Sequence, residues 1–393
     1  MTFTRPDAWR AAGDWDSWLD DRLDGIRAEG RWREPRDFDA WGPRGTLTAT
    51  GRSVVSFASN DYLGLTIHPA VLEAAHAAIE RWGTGSGGAR LITGARPVHR
   101  DLEVDLADWK RTDRAVLFPT GFAANLGVLT ALGTAGVRII SDSRNHASII
   151  DGTRLARADV SVWRHGDLEE LEALVAASSA PTLVVADTVF SMDGDVLDVA
   201  AVAAVCRRHR AILVLDEAHA VLGPDPSEED LADVEVVRVG TLSKTLGALG
   251  GFAACSTRVA DLLVNVARSG IFTTALSPAD AAAARAGLEV VRGPEGARLR
   301  ATLRHHVDQL RPGHPSPIVA VVLGDEDVAL AAANRLLDQG LLVPAIRPPT
   351  VAPGTSRLRV TLSAAHSDGE VARLVAALTA VTGATFGSPD PNR

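Results

Sequence analysis

From Ser53 onward, short β-rich apolar runs alternate with longer segments of helical period, and this alternation constrains the fold more than any other feature of the chain. The run Ala211–Leu215 reads AILVL, which is apolar on both faces and fits a strand covered on two sides. The other runs of this kind are Ala115–Phe118, Val137–Ser141, Val160–Trp163, Thr182–Ala186, Val234–Val239 and Phe252–Cys255. Helical patterns between them lie near Gly121–Leu132, Ala147–Leu155, Leu168–Ala177 and Leu197–Arg210. The alternation predicts an α/β fold with a mostly parallel seven-stranded sheet covered by helices.

Composition and pattern divide the chain into three predicted regions. Residues 1–50 hold one amphipathic pattern, Trp15–Glu29, followed by a stretch rich in Arg, Pro and Gly, and they predict an N-terminal helical arm. Residues 51–283 hold the seven runs and predict a large domain. Residues 284–393, entered through the Ala-rich helical segment Pro278–Val291, predict a small C-terminal α/β domain. Its expected elements are helix Gly296–Leu310, strand Ile318–Leu323, helix Val328–Gln339, strands Leu341–Ala345 and Arg357–Leu362, helix Asp368–Val381 and a frayed end from Gly387 to Arg393.

Charge and cysteine content exclude several classes of function. The formal net charge of −9 leaves no basic footprint for nucleic acid. No apolar run approaches the ~20 residues that a membrane-spanning helix needs, and residues 1–20 lack the pattern of a signal peptide. Cys206 and Cys255 have no Cys or His at metal-ligand spacing, so we expect buried thiols in a reducing compartment. The sequence predicts a cytoplasmic protein without a metal site, bound neither to nucleic acid nor to a membrane.

One glycine-rich stretch imitates a nucleotide-binding motif. The segment from Gly83 to Gly88 matches GxGxxG, but a helical pattern, Pro69–Trp82, precedes it where a dinucleotide fold requires a strand. We therefore interpret these glycines as a tight connection that uses positive φ. Neither a GxxxxGK[ST] loop nor a G-x-S-x-G elbow occurs in the sequence.

The strongest chemical signal is a lysine at a strand end. In Val239-Gly-Thr241-Leu-Ser-Lys244, an apolar run leads into hydroxyl side chains, one lysine and then glycines. Lysines form Schiff bases with carbonyl compounds, and burial lowers their pKa so that the free amine can attack. An ordinary loop lysine is the alternative.

A carboxylate follows the neighbouring run. In Leu213-Val-Leu-Asp216-Glu-Ala-His219, Asp216 comes at the carboxyl end of the apolar run and His219 three residues later. Ligands of open α/β sheets bind at that edge. A buried carboxylate there needs a cationic partner, and a pyridinium nitrogen is one such partner. The alternative is that Asp216 caps the following turn.

Two further strand ends complete the pattern. Gly121-Phe122-Ala-Ala-Asn125 begins a helix after a strand, where free N–H groups and the helix dipole attract an anion, although a plain strand–helix turn would look the same. His146 follows another strand end, either as a ring that stacks on a ligand or as an exposed helix-capping residue. An anion site, a histidine, Asp-x-x-His and then a lysine together predict a pyridoxal 5'-phosphate site.

These motifs resemble those of the α-oxoamine synthases, pyridoxal-phosphate enzymes of the aspartate-aminotransferase-like fold. The likeness runs from about Ser53 to His366 and rests on the segments Ser59–Leu65, Gly121–Asn125, His146–Ser148, Val189–Asp195, Asp216–His219, Thr241–Lys244 and Phe272–Thr274. The resemblance implies the type I fold of PLP-dependent transferases and a homodimer with active sites at the subunit interface.

The resemblance also implies roles for individual residues around the cofactor. Lys244 binds its aldehyde carbon and later takes the α-proton, while Asp216 keeps its ring nitrogen protonated. His146 stacks on the ring and orients the thioester carbonyl, and the phenolic oxygen is held by His219 and Ser191. The phosphate contacts implied are Gly121, Phe122 and Thr241, joined by Thr273 and Thr274 of the neighbouring subunit.

Within the family, the stretch Ala345–Val351, followed by Arg357–His366, is most similar to members of biotin biosynthesis. Such members condense L-alanine with a pimeloyl thioester, carried by coenzyme A or by acyl carrier protein, and release carbon dioxide. The substrate contacts implied are Asn60 and Arg359 for the carboxylate, where a planar guanidinium fits, together with His146, Thr350, and Arg33 or its rival Arg31 for the distal carboxylate.

Two departures from the family pattern stand out. Asp187-Thr188 replaces the usual Glu-Gly, so the carboxylate is kept but shorter. The glycine-rich loop after the histidine is replaced by Ala220–Pro226 and the acidic run Glu228–Asp230, which leaves the carrier preference open. The alternatives are a sister enzyme acting on glycine and a short acyl-CoA, such as glycine C-acetyltransferase, and a catalytically inactive scaffold subunit.

Overall fold

The computed structural model describes residues 15–387, in which strands and helices alternate as the sequence predicts. The strands are β1 Phe38–Trp41, β2 Arg44–Leu47, β3 Arg52–Ser56, β4 Arg114–Phe118, β5 Arg138–Asp142, β6 Asp159–Trp163, β7 Thr182–Asp187, β8 Ile212–Asp216, β9 Val236–Thr241, β10 Gly251–Cys255, β11 Ile318–Gly324, β12 Leu341–Leu342, β13 Ala345–Ile346 and β14 Ser356–Thr361.

Most helices begin at a residue whose side chain accepts a hydrogen bond from the first turn, such as Thr120, Asp198 or Ser277. The helices are α1 Trp15–Ala28, α2 Pro69–Trp82, α3 Pro97–Lys110, α4 Gly121–Leu132, α5 Ala147–Leu155, α6 Leu168–Ala176, α7 Val199–His209, α8 Glu228–Leu231, α9 Thr257–Val266, α10 Arg268–Ile271, α11 Pro278–Arg292, α12 Pro294–Leu310, α13 Glu326–Asp338 and α14 Asp368–Thr382. A 3₁₀ turn, Leu65–Ile67, and a π turn, Arg90–Gly94, lie between them.

The seven predicted apolar runs all form strands, and they assemble into one sheet. Its order is β4-β10-β9-β8-β7-β5-β6, with parallel pairing from β9 through β6 and only β10 antiparallel to its neighbours. Alternate residues of one strand enter different apolar clusters: Leu183 and Val185 belong to one, Val184 and Ala186 to the other. Both faces of the sheet are therefore buried, which explains why its strands read as continuous apolar runs.

The last third of the chain contains a second, antiparallel sheet, in the order β11-β14-β13. The prediction of one strand over Leu341–Ala345 is wrong. Leu341 and Leu342 pair with β3, whereas Ala345 and Ile346 pair with β14. Pro344 separates the two short strands, since it has no N–H to continue a ladder.

By compactness the described residues fall into two units, one comprising residues 15–39 with Thr46–Arg52 and the other comprising Ala40–Gly45 with residues 53–387. The predicted helix at Trp15–Glu29 is confirmed as α1, whereas β1 and β2 were not predicted. The division at residues 50 and 283 stays a prediction. The expected frayed end, apart from Gly387, lies outside the described residues. Within residues 15–387, no helix has the length and apolar character needed to cross a membrane.

Candidate active site

Four parallel strands end at the same edge of the large sheet, and the predicted residues follow these ends. Asp142, Asp187, Asp216 and Thr241 are the last residues of β5, β7, β8 and β9. Asp187 and Asp216 lie directly opposite each other in the strand register. The edge is therefore the sheet's carboxyl side, where α/β folds bind ligands.

The side chain of Lys244 contacts His219, the histidine of the Asp-x-x-His segment. Its Nζ lies 2.9 Å from His219 Nε2, and His219 Nδ1 lies 2.5 Å from the hydroxyl of Tyr62. Burial lowers the pKa of Lys244, and it lowers the pKa of His219 well below its usual range. Both groups are therefore disposed to be neutral, as a nucleophilic amine requires.

Asp216 is buried and accepts two hydrogen bonds. Asn125 Nδ2 donates to Oδ2 at 2.6 Å, and the Ala218 N–H donates to Oδ1 at 2.9 Å. The same amide of Asn125 reaches Ser148 Oγ at 2.8 Å, and this hydroxyl contacts His146 Nδ1 at 2.7 Å. The structure thus joins Asp216 to His146 through helices α4 and α5, although the two are 70 positions apart in the sequence.

Asp187, which stands where the family pattern has glutamate, accepts a hydrogen bond from the backbone of His146. Its Oδ2 accepts the His146 N–H at 2.7 Å, and Asp187 is almost fully buried. Burial raises the pKa of Asp187 well above its usual range, and the neighbouring Asp216 adds to this effect. Thr188 donates from its hydroxyl to the Asp216 carbonyl at 2.9 Å. The departure from the family pattern therefore preserves a carboxylate contact with the histidine.

Arg359 on β14 lies with Asn60 and Ser191. Its Nη2 donates to Asn60 Oδ1 at 3.2 Å, and its Nε donates to the Ser191 carbonyl at 2.5 Å. Asn60 Oδ1 also lies 3.2 Å from the Tyr62 hydroxyl. A continuous set of hydrogen bonds therefore joins the predicted carboxylate-binding pair, Asn60 and Arg359, to Lys244.

The loop that carries Ser191 is fixed on both sides. Arg357 forms an ion pair with Asp193, and a Cβ on Gly194, whose φ is +76°, would overlap the Ile318 carbonyl oxygen. On the other side, His165 bridges Asp195 and Asp142. The site is therefore built on elements of the seven-stranded sheet and of the antiparallel sheet β11-β14-β13.

The donor set fits pyridoxal phosphate. The N-terminus of α4, which has twelve residues, faces Thr241 so closely that a Cβ on Gly121 would lie 3.1 Å from the Thr241 Cβ. Backbone N–H groups and a hydroxyl meet there, as a phosphate needs. A buried carboxylate, Asp216, and an amine whose pKa burial lowers, Lys244, provide partners for a pyridinium nitrogen and an aldehyde. No cluster of His, Cys, Asp or Glu suited to a metal occurs among residues 15–387.

Several predicted residues lie apart from this network. Thr273 and Thr274 follow α10, and Thr350 lies in an exposed turn where its N–H contacts the Arg347 carbonyl. Arg33 belongs to the N-terminal unit, in which its rival Arg31 contacts Glu29 at 2.8 Å. The roles expected for these residues stay predictions.

Residues Ala220–Asp225, in the loop that departs from the family pattern, line a cavity of about 700 Å³. Thr241 and the buried pair of Arg238 and Glu217, 2.6 Å apart, also line it. This loop therefore adjoins the strand end that carries Thr241.

Sequence reasoning missed four contributors: Tyr62, Asn125, Ser148 and Asp187. Each stands inside or beside a motif, but nothing in the motif separates a residue that contacts a catalytic group from one that fills the core. Only the strand register and the packing of α4 on α5 bring Asn125, Ser148 and Asp216 together.

Comparison with known proteins gives one family and close relatives. The family described as "Aminotransferase class I and II" matches residues 52–378. The chain is 47% identical to 8-amino-7-oxononanoate synthase of Burkholderia thailandensis over 84% of this chain and 90% of that protein. Among solved structures, serine palmitoyltransferase of Sphingomonas wittichii aligns with a TM-score of 0.85 and 30% identity, covering 94% and 98% of the two chains. Serine palmitoyltransferase of S. paucimobilis, solved with bound PLP, has the same TM-score and coverage at 27% identity.

Proposed function

The chain belongs to the class I and II aminotransferase family and, within it, to the α-oxoamine synthases, and from this premise we propose that it condenses L-alanine with a pimeloyl thioester. The products are 8-amino-7-oxononanoate, carbon dioxide and the free thiol carrier. It is a PLP-dependent acyltransferase of biotin biosynthesis. The observation that carries the proposal is the joined set of Lys244, His219, Asn60 and Arg359, in a chain 47% identical to a synthase of that name.

Each residue of the site has a separate role around the cofactor. Bound pyridoxal phosphate withdraws electrons from the substrate α-carbon. Asp216 holds a proton on the pyridine nitrogen, and the α4 N-terminus with Thr241 holds the phosphate. Lys244 Nζ, whose pKa burial lowers, would hold the aldehyde end of the cofactor and would be the group placed to take the α-proton of alanine.

Arg359 and Asn60 hold the substrate carboxylate. The guanidinium is buried, and it keeps a charge that matches a planar carboxylate in two parallel hydrogen bonds. His146, fixed by Asp187 and Ser148, presents its ring at the open side of the site and orients the incoming thioester carbonyl. His219 and Ser191 hold the phenolic oxygen, Thr350 contacts the substrate, and Arg33 or its rival Arg31 meets the distal carboxylate.

We also propose a homodimer in which Thr273 and Thr274 reach the phosphate of the other subunit. Three apolar side chains support this surface: Leu91, Ile92 and Phe272 are 57%, 79% and 71% exposed. They lie on or directly after two elements in contact, the π turn and α10. Apolar side chains grouped in this way mark association surfaces. Light scattering should give twice the chain mass of 41.3 kDa, and a monomer would contradict the dimer.

The cytoplasm is the compartment we propose. Cys206 and Cys255 are both free and buried, as expected of thiols kept reduced.

A paired-substrate assay tests the function. Carbon dioxide release should require L-alanine and a pimeloyl thioester, measured separately with coenzyme A and with acyl carrier protein as the carrier. Equal turnover of glycine and acetyl-CoA would favour the sister enzyme. A protein that stays colourless after addition of pyridoxal phosphate would favour the scaffold subunit, whereas we expect a yellow protein whose covalent attachment is lost in Lys244→Ala.

A further inference from the structure

Tyr62 is the only tyrosine of the chain, and it is completely buried at the centre of the network. Its hydroxyl contacts His219 Nδ1 at 2.5 Å on one side and Asn60 Oδ1 at 3.2 Å on the other. His219 in turn contacts Lys244, so one side chain separates the Tyr62 hydroxyl from the lysine amine. Neither the sequence motifs nor the expected cofactor contacts give this hydroxyl a role.

The hydroxyl has one proton and two neighbours that accept hydrogen bonds. The distance to Nδ1 is shorter by 0.7 Å, and Asn60 Oδ1 already accepts from the charged Arg359 at 3.2 Å. Burial raises the pKa of Tyr62, so the proton stays on the phenol. The geometry therefore favours donation from Tyr62 to Nδ1.

This donation determines where the imidazole proton lies. A neutral imidazole has one N–H, and a ring nitrogen that accepts a hydrogen bond cannot carry it. If Nδ1 accepts, Nε2 carries the proton and points it at Lys244 Nζ, 2.9 Å away. An amine that accepts this hydrogen bond must offer its lone pair, which only the neutral form possesses.

We propose that Tyr62 is a positioning residue that fixes the Nε2–H tautomer of His219, and that this N–H holds Lys244 in its neutral form. The inference rests on the proposed function in taking Lys244 as the reacting amine. It links the amine, through His219, to a hydroxyl that lies 3.2 Å from Asn60 Oδ1 in the proposed carboxylate-binding pair.

The composition of the chain makes the test direct, since Lys110 and Lys244 are its only lysines. The full-length protein, labelled with ¹³C at lysine Cε and freed of cofactor, should give two lysine NMR signals. Addition of pyridoxal phosphate identifies the Lys244 signal, which must change on covalent attachment. The pH titration of each signal then reports the pKa of each amine.

In Tyr62→Phe the Lys244 pKa should rise by roughly half a unit to one unit, the shift that corresponds to one ordinary hydrogen bond to the neutral amine. The titration of Lys110 should not move. An unchanged Lys244 pKa would overturn the proposal. A fall in the Lys244 pKa would also overturn the proposal. It would indicate the opposite tautomer, in which the charged Lys244 amine donates to Nε2 and is destabilised when the tyrosine hydroxyl is removed.

Two further variants separate tautomer control from loss of packing. Ser363→Ala removes another hydroxyl beside this segment, one that donates to the Asp61 carbonyl at 2.6 Å, and it should leave the Lys244 pKa unchanged. In a His219→Leu background, Tyr62→Phe should no longer shift the Lys244 pKa. Equal shifts in Ser363→Ala, or a persistent shift without His219, would overturn the proposal.

A measurement that keeps the tyrosine covers the case in which Tyr62→Phe does not fold. With ¹³Cζ-labelled tyrosine the protein gives a single signal, which should move in His219→Leu and stay in Ser363→Ala. A tyrosine signal whose chemical shift does not change in His219→Leu would refute the contact between Tyr62 and His219. Because these titrations need no substrate, failed condensation in the paired-substrate assay with an intact Lys244 shift would count against the proposed function alone.

Discussion

The bridge made by His165 should make the stability of the protein depend on pH in a defined direction. Its Nδ1 lies 3.2 Å from both carboxylate oxygens of Asp142, and its Nε2 contacts Asp195. These hydrogen bonds, that to Asp142 first, raise the pKa of His165 to about 9. The side chain is 19% exposed and packs edge-on against Phe190, next to the loop that carries Ser191.

The sign follows from comparing the folded and unfolded states. The pKa of His165 is about 6.5 when unfolded and about 9 when folded. The protonated imidazole therefore contributes stability that is complete below pH 6.5 and is lost as the pH rises through 9. The whole difference corresponds to about 3 kcal/mol as an upper bound. Because solvent screens a partly exposed group, we expect about 1–2 kcal/mol.

The variant to compare is His165→Gln, which keeps a hydrogen-bonding side chain but has no titrating charge. Urea unfolding followed by tryptophan fluorescence should show the variant less stable by about 1–2 kcal/mol near pH 6, with the difference shrinking toward pH 9.5. As a control, His209→Gln removes a histidine with one exposed carboxylate neighbour, Glu172 at 3.1 Å, and should change stability little. A gap between wild type and His165→Gln that is the same at both pH values, or that widens as the pH rises, would refute the reasoning.

Substitutions at three further positions test the site, at Arg359, Asp187 and Gly194. Arg359→Lys keeps the charge but loses the bidentate fork, so the KM for alanine should rise at least tenfold with little change in the visible spectrum; an unchanged KM removes Arg359 from the carboxylate site. Asp187→Asn should be tolerated, because the raised pKa of Asp187 favours the protonated form, which an amide imitates. Asp187→Ala should lower the free energy of unfolding in urea by about 1–3 kcal/mol, because it leaves the His146 N–H without its acceptor. Gly194→Ala should lose more stability than Gly383→Ala in thermal unfolding, since both have φ near +75° but only Gly194 has a backbone oxygen where the Cβ would lie; equal losses would show that φ alone is responsible.

The large sheet could be predicted from the sequence because burial determines the residue types within each strand. A strand buried on both faces is apolar at nearly every position, as Leu183–Ala186 and Ala211–Leu215 are. β1 and β2 have no such signature. Phe38–Trp41 is mostly exposed, so its pairing leaves little trace in the hydrophobic pattern. Where burial does not dictate residue type, the pattern predicts little.

The candidate site shows the same limit at the level of side chains. That Asp216 and Lys244 follow strand ends could be predicted, since parallel strands bring their carboxyl ends to one edge. That Asp187 lies opposite Asp216 could not, because a register shift of one residue would send one of the two carboxylates to the other face of the sheet. The contact of Tyr62 with His219 spans 157 positions and depends on two loops meeting.

The paired carboxylates at this edge carry one more consequence for how the site works. Asp187 and Asp216 are both buried; burial raises the pKa of Asp187 well above its usual range, and repulsion by the neighbouring Asp216 adds to the rise. Asp187 has a backbone N–H from His146 as a partner, whereas Asp216 is bound by the uncharged Asn125 amide and a backbone N–H. A buried carboxylate needs a cationic partner, and the pyridinium nitrogen of the cofactor would be that partner for Asp216. Asp187 instead holds His146 in place through the backbone N–H.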